Sequence, residues 1–203
     1  EQQYNNYEHL HPTADHADTA LTCIKRGKHV FIEKPISDSV VSADILINEA
    51  VAQNVFIQVG HIERLNPALL SVKNYELNPK FIEIQRLAPY TARGTDVPVV
   101  LDLMIHDIDI LLHFVPSKVQ TITATGLSIM TDSVDIANAR IRFENGTVAN
   151  LTSSRIAKDK VRKIKLFEKN MYITIDMLLK LSEVYKIVST KNNIKSRNTA
   201  PLD

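Results

Sequence analysis

Residues 94–116, GTDVPVVLDLMIHDIDILLHFVP, constrain the fold more than any other stretch. Asp96 precedes Val97-Pro98, so it can cap a helix whose first turn holds a proline. Pro116 ends that helix, because its ring cannot continue one. Val99, Val100, Leu103, Met104, Ile105, Ile108, Ile110, Leu111, Leu112 and Phe114 surround nearly the whole of it. A helix apolar on almost every side is a buried one. Asp102, His106, Asp109 and His113 interrupt it in steps of four, three and four, which places them on one stripe. Buried carboxylates and imidazoles are costly unless paired or put to use. The stripe is therefore the first candidate for chemistry; a polar seam against a second domain and a solvated edge are the plainer alternatives.

The flanks of this helix have different characters. Before it, a helix at 14–26, a strand in HVFIEKP, a helix at 39–53 capped by Ser37 or Asp38, and a buried strand at 55–59 follow one another with short connections. That order predicts a partial doubly wound, Rossmann-like α/β unit over residues 1–60, with 1–11 irregular. Residues 61–203 read as an α+β domain. A helix at 67–77 and an alternating strand at 81–87 lead to the buried helix, and an open antiparallel β-sheet follows from 119 to 188. Asn145-Gly146 marks a hairpin. The last segment, KNNIKSRNTAPLD, reads as a solvated end.

Bulk properties exclude several classes. A formal net charge of +1 over 203 residues predicts neither a nucleic acid nor an anionic membrane as partner. The single cysteine, Cys23, leaves no internal disulfide framework and no cysteine-rich metal centre, and suits a reducing cytoplasm. No apolar run approaches the ~20 residues that span a bilayer.

Within the first unit, Glu33-Lys34-Pro35 falls at the carboxyl end of a parallel strand, the edge where open α/β sheets bind ligands. Lys34 there can serve as a cation, a donor or a tuned acid, and the bond to Pro35 is a candidate for the cis form. Pro12, Thr13 and His16 begin a helix, whose free N–H groups suit anions and ligands. His61, Glu63, Arg64 and Asn66 follow the next strand end and face the same crevice. Arg64 could hold a phosphate or carboxylate at two points. Arg86, Arg93 and Arg155 are weaker candidates of that kind, with an exposed surface arginine as the default for each.

PTADHADTALTCIKRGKHVFIEKP, VGHIERLNPA and VLDLMIHDID together resemble the NAD(P)-dependent oxidoreductases of the glucose–fructose oxidoreductase, inositol dehydrogenase and rhizopine-catabolism group, over about residues 12–188. HIERLNPA is similar to the nucleotide-sugar branch, of the UDP-N-acetylglucosamine 3-dehydrogenase kind. The resemblance implies hydride transfer between nicotinamide and a sugar or nucleotide-sugar hydroxyl. It casts Lys34 as the group that polarises the reacting oxygen, His106 as the base and Asp102 as the residue that orients substrate or imidazole. Pro12, Thr13, His16, Glu33 and Pro35 would line the nicotinamide end of an NAD or NADP site. Arg64, Asn66, Asp109 and Arg86 would contact substrate, with no metal. A homo-oligomer formed through the sheet is also implied.

The family's G-x-G-x-x-G/A pyrophosphate cradle does not occur in this sequence, whose five glycines, Gly27, Gly60, Gly94, Gly126 and Gly146, are widely spaced. The chain is accordingly expected to be a piece of a longer protein that binds dinucleotide weakly or not at all by itself. NAD and NADP are not distinguished, because the residue that reads the adenosine ribose would lie in the same missing part. A non-catalytic dimerising scaffold of the same fold and, behind it, a hydrolase with a metal on Asp102, His106, Asp109, His113 and a further ligand candidate, His61, are the competing readings.

Overall fold

A computed structural model describes residues 7–9, 16–91, 97–190 and 193–199, with backbone alone at 7–9, 188–190 and 193–199. The chain divides into two compact units between Ile62 and Glu63.

The first unit is a parallel sheet of three strands, β1 (Tyr7–His9), β2 (Val30–Ile32) and β3 (Ile57–Val59), in the order β1-β2-β3. The helices are α1 (His16–Lys25) and α2 (Val40–Ala52). Ala20, Ile24, Val30, Ile32, Leu46 and Ala50 form its core. Three local expectations change. β1 lies in the stretch read as irregular, because its pairing with β2 is made by backbone and needs no apolar pattern. Ser39, one residue beyond the expected caps, closes α2 by accepting from the Ser42 N–H at 3.1 Å. Ser37 instead donates to the Ser39 carbonyl. β3 is only half-buried, with Phe56 before it 78% exposed, so it is not a strand covered on both faces.

The second unit carries a sheet of eight strands. They are β4 (Phe81–Leu87), β5 (Val119–Leu127), β6 (Ile136–Phe143), β7 (Val148–Ser154), β8 (Val161–Phe167), β9 (Met171–Asp176), β10 (Leu181–Thr190) and β11 (Asn193–Thr199). The order is β11-β10-β9-β8-β4-β7-β6-β5. The sheet is antiparallel except where β4 enters between β7 and β8, parallel to β7 and antiparallel to β8. β11 corrects the reading of the end as a solvated tail, since seven backbone positions pair with β10. Alternation puts Ile82, Ile84, Ala139, Ile141, Ala149, Leu151, Ile164 and Leu166 on the covered face. The opposite face is polar, with Arg140 donating to Asn150 at 3.0 Å and Asn138 to Thr152 at 2.9 Å.

Helices cover the inner face. α3 (Pro67–Leu70) is far shorter than the expected helix at 67–77. After it the Val72 and Lys73 N–H groups reach carbonyls only three residues back, and the Ser71 hydroxyl takes the Ala68 carbonyl, so regular helix stops there. The long helix is also not uniform. A π-helical turn, Val100–Met104, precedes regular α4 (Ile105–Phe114). Asp96, the expected cap, lies outside the described residues. The Val99 N–H bonds the Val134 carbonyl instead. Nor is the helix buried all round: Leu112 is 48% exposed, while Asp107 and Asp109 are buried.

Candidate active site

In the first unit, parallel pairing of Ile32 with Val59 brings two strand ends side by side. The chain continues from them as Glu33-Lys34-Pro35 and Gly60-His61. The Lys34–Pro35 peptide is cis. His16, 3% exposed at the start of α1, donates from Nδ1 to the Pro35 carbonyl at 2.9 Å. A carbonyl only accepts, so this bond fixes the tautomer with its proton on Nδ1. The bond ties the helix start to the turn that carries Lys34. The Gly60 N–H donates to the Ile32 carbonyl at 2.7 Å. A Cβ at Gly60 would lie 2.8 Å from Glu33 Oε2, so only glycine lets the carboxylate approach this backbone. His16, Glu33, Lys34 and Pro35 thus gather at one sheet edge. Pro12 and Thr13 lie outside the described residues.

The second unit holds the other half of the expected residues. Asp102 is in the π-helical turn and His106 in the first turn of α4, both half-buried. π-helical turns occur frequently at functional sites, because the extra residue re-aims the side chains around it. Asp109 is gripped by Arg64 through Nε at 2.6 Å and through Nη2. That hydrogen bond raises the Arg64 pKa above its ordinary value, against the opposing effect of burial. The two-point grip expected of Arg64 is therefore made, on a residue of this chain.

Two of the other expected substrate contacts have partners within the chain. Arg86 is 2% exposed, not a surface arginine. Its Nε donates to Asp107 Oδ1 at 2.9 Å, Nη2 lies 2.8 Å from the same oxygen as an ion pair, and Nη1 lies 3.6 Å from Glu63 Oε1. Arg162 donates to the same Glu63 oxygen at 2.8 Å. Burial pushes the Asp107 carboxyl above its usual range, with the Arg86 guanidinium pulling the other way. Asn66 is a structural cap: its side chain accepts from the Ala68 N–H at 3.0 Å and donates to the Met177 carbonyl at 3.1 Å. Arg155, 6% exposed, is no surface residue either; it donates to the Val97 carbonyl just before the π-helical turn. Arg93 lies outside the described residues.

Sequence reasoning missed Asp107 and Asp135. Asp107 is off the stripe and has no helical-spacing partner, since Arg86 reaches it from a strand. Asp135 is fully buried. It accepts from the N–H groups of Ile129, Met130 and Thr131 at 2.8, 2.7 and 3.0 Å, and from the Thr131 hydroxyl at 2.8 Å. Burial alone would push its carboxyl up, but these donors outweigh burial and hold it well below the usual carboxylate range. Among the described residues no three His, Cys, Asp or Glu side chains are grouped to hold a metal ion.

Residues 10–61 match the family model described as "Oxidoreductase family, NAD-binding Rossmann fold", and residues 80–173 match "GFO/IDH/MocA C-terminal domain". The chain belongs to the GFO/IDH/MocA oxidoreductase family. UDP-N-acetylglucosamine 3-dehydrogenase of Acidithiobacillus ferrooxidans is 34% identical over 175 residues, which are 86% of this chain and 56% of that one. A solved structure of that enzyme superposes with a TM-score of 0.87 at 30% identity, covering 96% of this chain and 64% of the other. Myo-inositol 2-dehydrogenase of Thermotoga maritima is 27% identical over 162 residues, 71% of this chain and 48% of that one. Levoglucosan dehydrogenase, solved with NADH and levoglucosan, shares the fold at a TM-score of 0.85 and 17% identity, over 98% of this chain and 62% of the other. The chain spans about half the length of the curated relatives it matches. Among the described residues, no helix is long and apolar enough to cross a membrane.

Proposed function

We propose that the protein is an NAD(P)-dependent oxidoreductase that oxidises a hydroxyl of a sugar, a nucleotide sugar in particular. The observation that carries this reading is Lys34 at the carboxyl edge of β2, on a turn braced by the buried bond from His16 to the Pro35 carbonyl. That edge is where a parallel sheet presents residues to a bound ligand. The similarity to a UDP-N-acetylglucosamine 3-dehydrogenase supports the nucleotide-sugar class.

His16, Glu33, Lys34 and Pro35 fit the nicotinamide end of a dinucleotide, because they gather at the carboxyl edge of β2 and Lys34 is not buried there. When bound, the cofactor supplies an acceptor for the hydride that leaves carbon. Lys34 donates a hydrogen bond to the reacting oxygen and stabilises the charge that grows on it. His106 accepts the hydroxyl proton on an imidazole nitrogen. Asp102 orients the imidazole or the sugar from the turn before. The single Cys23 suits a reducing cytoplasm. We also propose that the protein forms a homo-oligomer through its sheet, where edge strand β5 is exposed along its length.

The reading is tested on the full-length protein by following nicotinamide absorbance with NAD and UDP-N-acetylglucosamine. Lys34→Ala and His106→Ala are each expected to slow turnover by about 10²–10⁴-fold. Undiminished turnover in His106→Ala would remove the base from this reading, and absence of turnover with any sugar would remove the reading itself.

A further inference from the structure

We propose that a cleft at the C-terminal end of α4 seats the nucleoside diphosphate of the substrate, two helical turns from the base. This rests on the nucleotide-sugar reading above and adds where the nucleotide goes. The cleft lies wholly in the second unit and encloses about 450 Å³, a volume in the range of small-molecule sites. Three basic side chains line it, Arg64, Lys73 and His113, and its described lining includes no carboxylate. Leu69, Phe114 and Pro116 contribute an apolar wall. Cations beside an apolar wall suit a ligand that is anionic at one point and flat and apolar at another, which a nucleotide is.

Position argues the same way. His113 follows His106 by seven residues, so it lies on the same stripe and about 10 Å further along the axis. That distance is roughly a hexose ring with its phosphate ester. A sugar hydroxyl at His106 would thus carry its diphosphate to the cleft. Asp109, between the two histidines, holds Arg64 by Nε and Nη2, so the fork is pre-set and Nη1 remains outside the pair. Basic groups at a helix C-terminus also answer the helix dipole. Dipole compensation, however, requires neither a cavity nor an apolar wall, and Arg64 and Lys73 come from outside α4.

The test is calorimetric titration of the chain with UDP, uridine and inorganic phosphate. Lys73 and His113 are exposed, so Lys73→Glu and His113→Ala retain the fold, checked by circular dichroism. UDP is expected to bind more tightly than uridine or phosphate, and Lys73→Glu to weaken it about tenfold or more. His113→Ala weakens it less, and Lys118→Glu, a charge reversal elsewhere on the same unit, leaves it unchanged. Equal UDP affinity in all variants, no UDP binding, or phosphate binding as tightly as UDP overturns the assignment. Turnover of a UDP-sugar with KM unaltered by Lys73→Glu sinks the cleft and leaves the proposed function standing. UDP binding lost in Lys73→Glu, without turnover of any UDP-sugar, keeps the cleft and sinks the proposed function.

Discussion

Arg86 and Asp107 are each 2% exposed, and neither is stable alone in that place. Two charges taken out of water are held by mutual attraction and hydrogen bonds, and removing one leaves the other uncompensated. Asp107→Ala and Arg86→Ala are each expected to cost about 3–5 kcal/mol of stability, measured by urea unfolding. A cost below about 1 kcal/mol would mean that the pair is not dry in solution. Asp135 makes a prediction of different form. Its carboxyl is held below its ordinary value, so the native state binds its proton later than the unfolded state does as pH falls. The stability it confers is complete above the unfolded pKa of ~3.9. It is lost progressively as pH drops from there through the folded value. Asp135→Asn should therefore be less stable than the parent at pH 5, and should fall less steeply below pH 4. Parallel curves from pH 5 to pH 2 would show that the carboxylate gains nothing from its cradle. These residues define the limit of sequence reading at this scale. The stripe of Asp102, His106, Asp109 and His113 is visible from spacing alone. Asp107 is paired across 21 positions with a strand residue, and Asp135 with backbone, so neither pairing leaves a spacing signal.

Among the elements, the hairpin joining β6 to β7 shows how a correct local signal takes an unexpected geometry. Asn-Gly favours a turn in which both residues have positive φ. Here Gly146 has φ +85° while Asn145 does not, and Phe143 accepts from the Gly146 N–H at 3.0 Å and donates to the Thr147 carbonyl at 2.9 Å. The loop is the longer kind, with only its last residue left-handed. A Cβ at Gly146 meets nothing within 4 Å, so Gly146→Ala pays only for the backbone conformation. It should cost about 1–2 kcal/mol by thermal or urea unfolding. A neutral result would show that the loop relaxes to another turn. The π-helical turn before α4 was not legible. Its five residues read as ordinary apolar helix, and what sets it apart is tertiary. The Val99 N–H is taken by Val134 and the Val97 carbonyl by Arg155, so the helix start is pinned by a distant part of the sheet.

At the scale of the whole molecule, the division of the chain into an α/β unit and a sheet unit was readable because period and connection length change near residue 60. The place of β4 was not. A strand flanked by helices in sequence can enter anywhere in a sheet, and this one enters between β7 and β8, which a simple meander would have paired. That insertion has an energetic consequence. β4 contributes Ile82 and Ile84, each at most 1% exposed, to a core shared with β7, β8 and α4. The first unit buries little, its α2 leaving Val40, Val41 and Val51 at least 70% exposed. Local opening follows the density of buried apolar contacts, so the two units should differ in the free energy at which their amides open. Native-state hydrogen exchange read by mass spectrometry should find the slowest amides in β4, β7 and β8. Those of β2 and β3 should exchange at least about tenfold faster, a difference of ~1.4 kcal/mol. Equal protection in the two parallel strands and in β4 would mean that the chain opens as one cooperative body. The large core of the second unit would then stabilise the small one, and removing Arg86 or Asp107 would loosen β2 and β3 as much as it loosens β4.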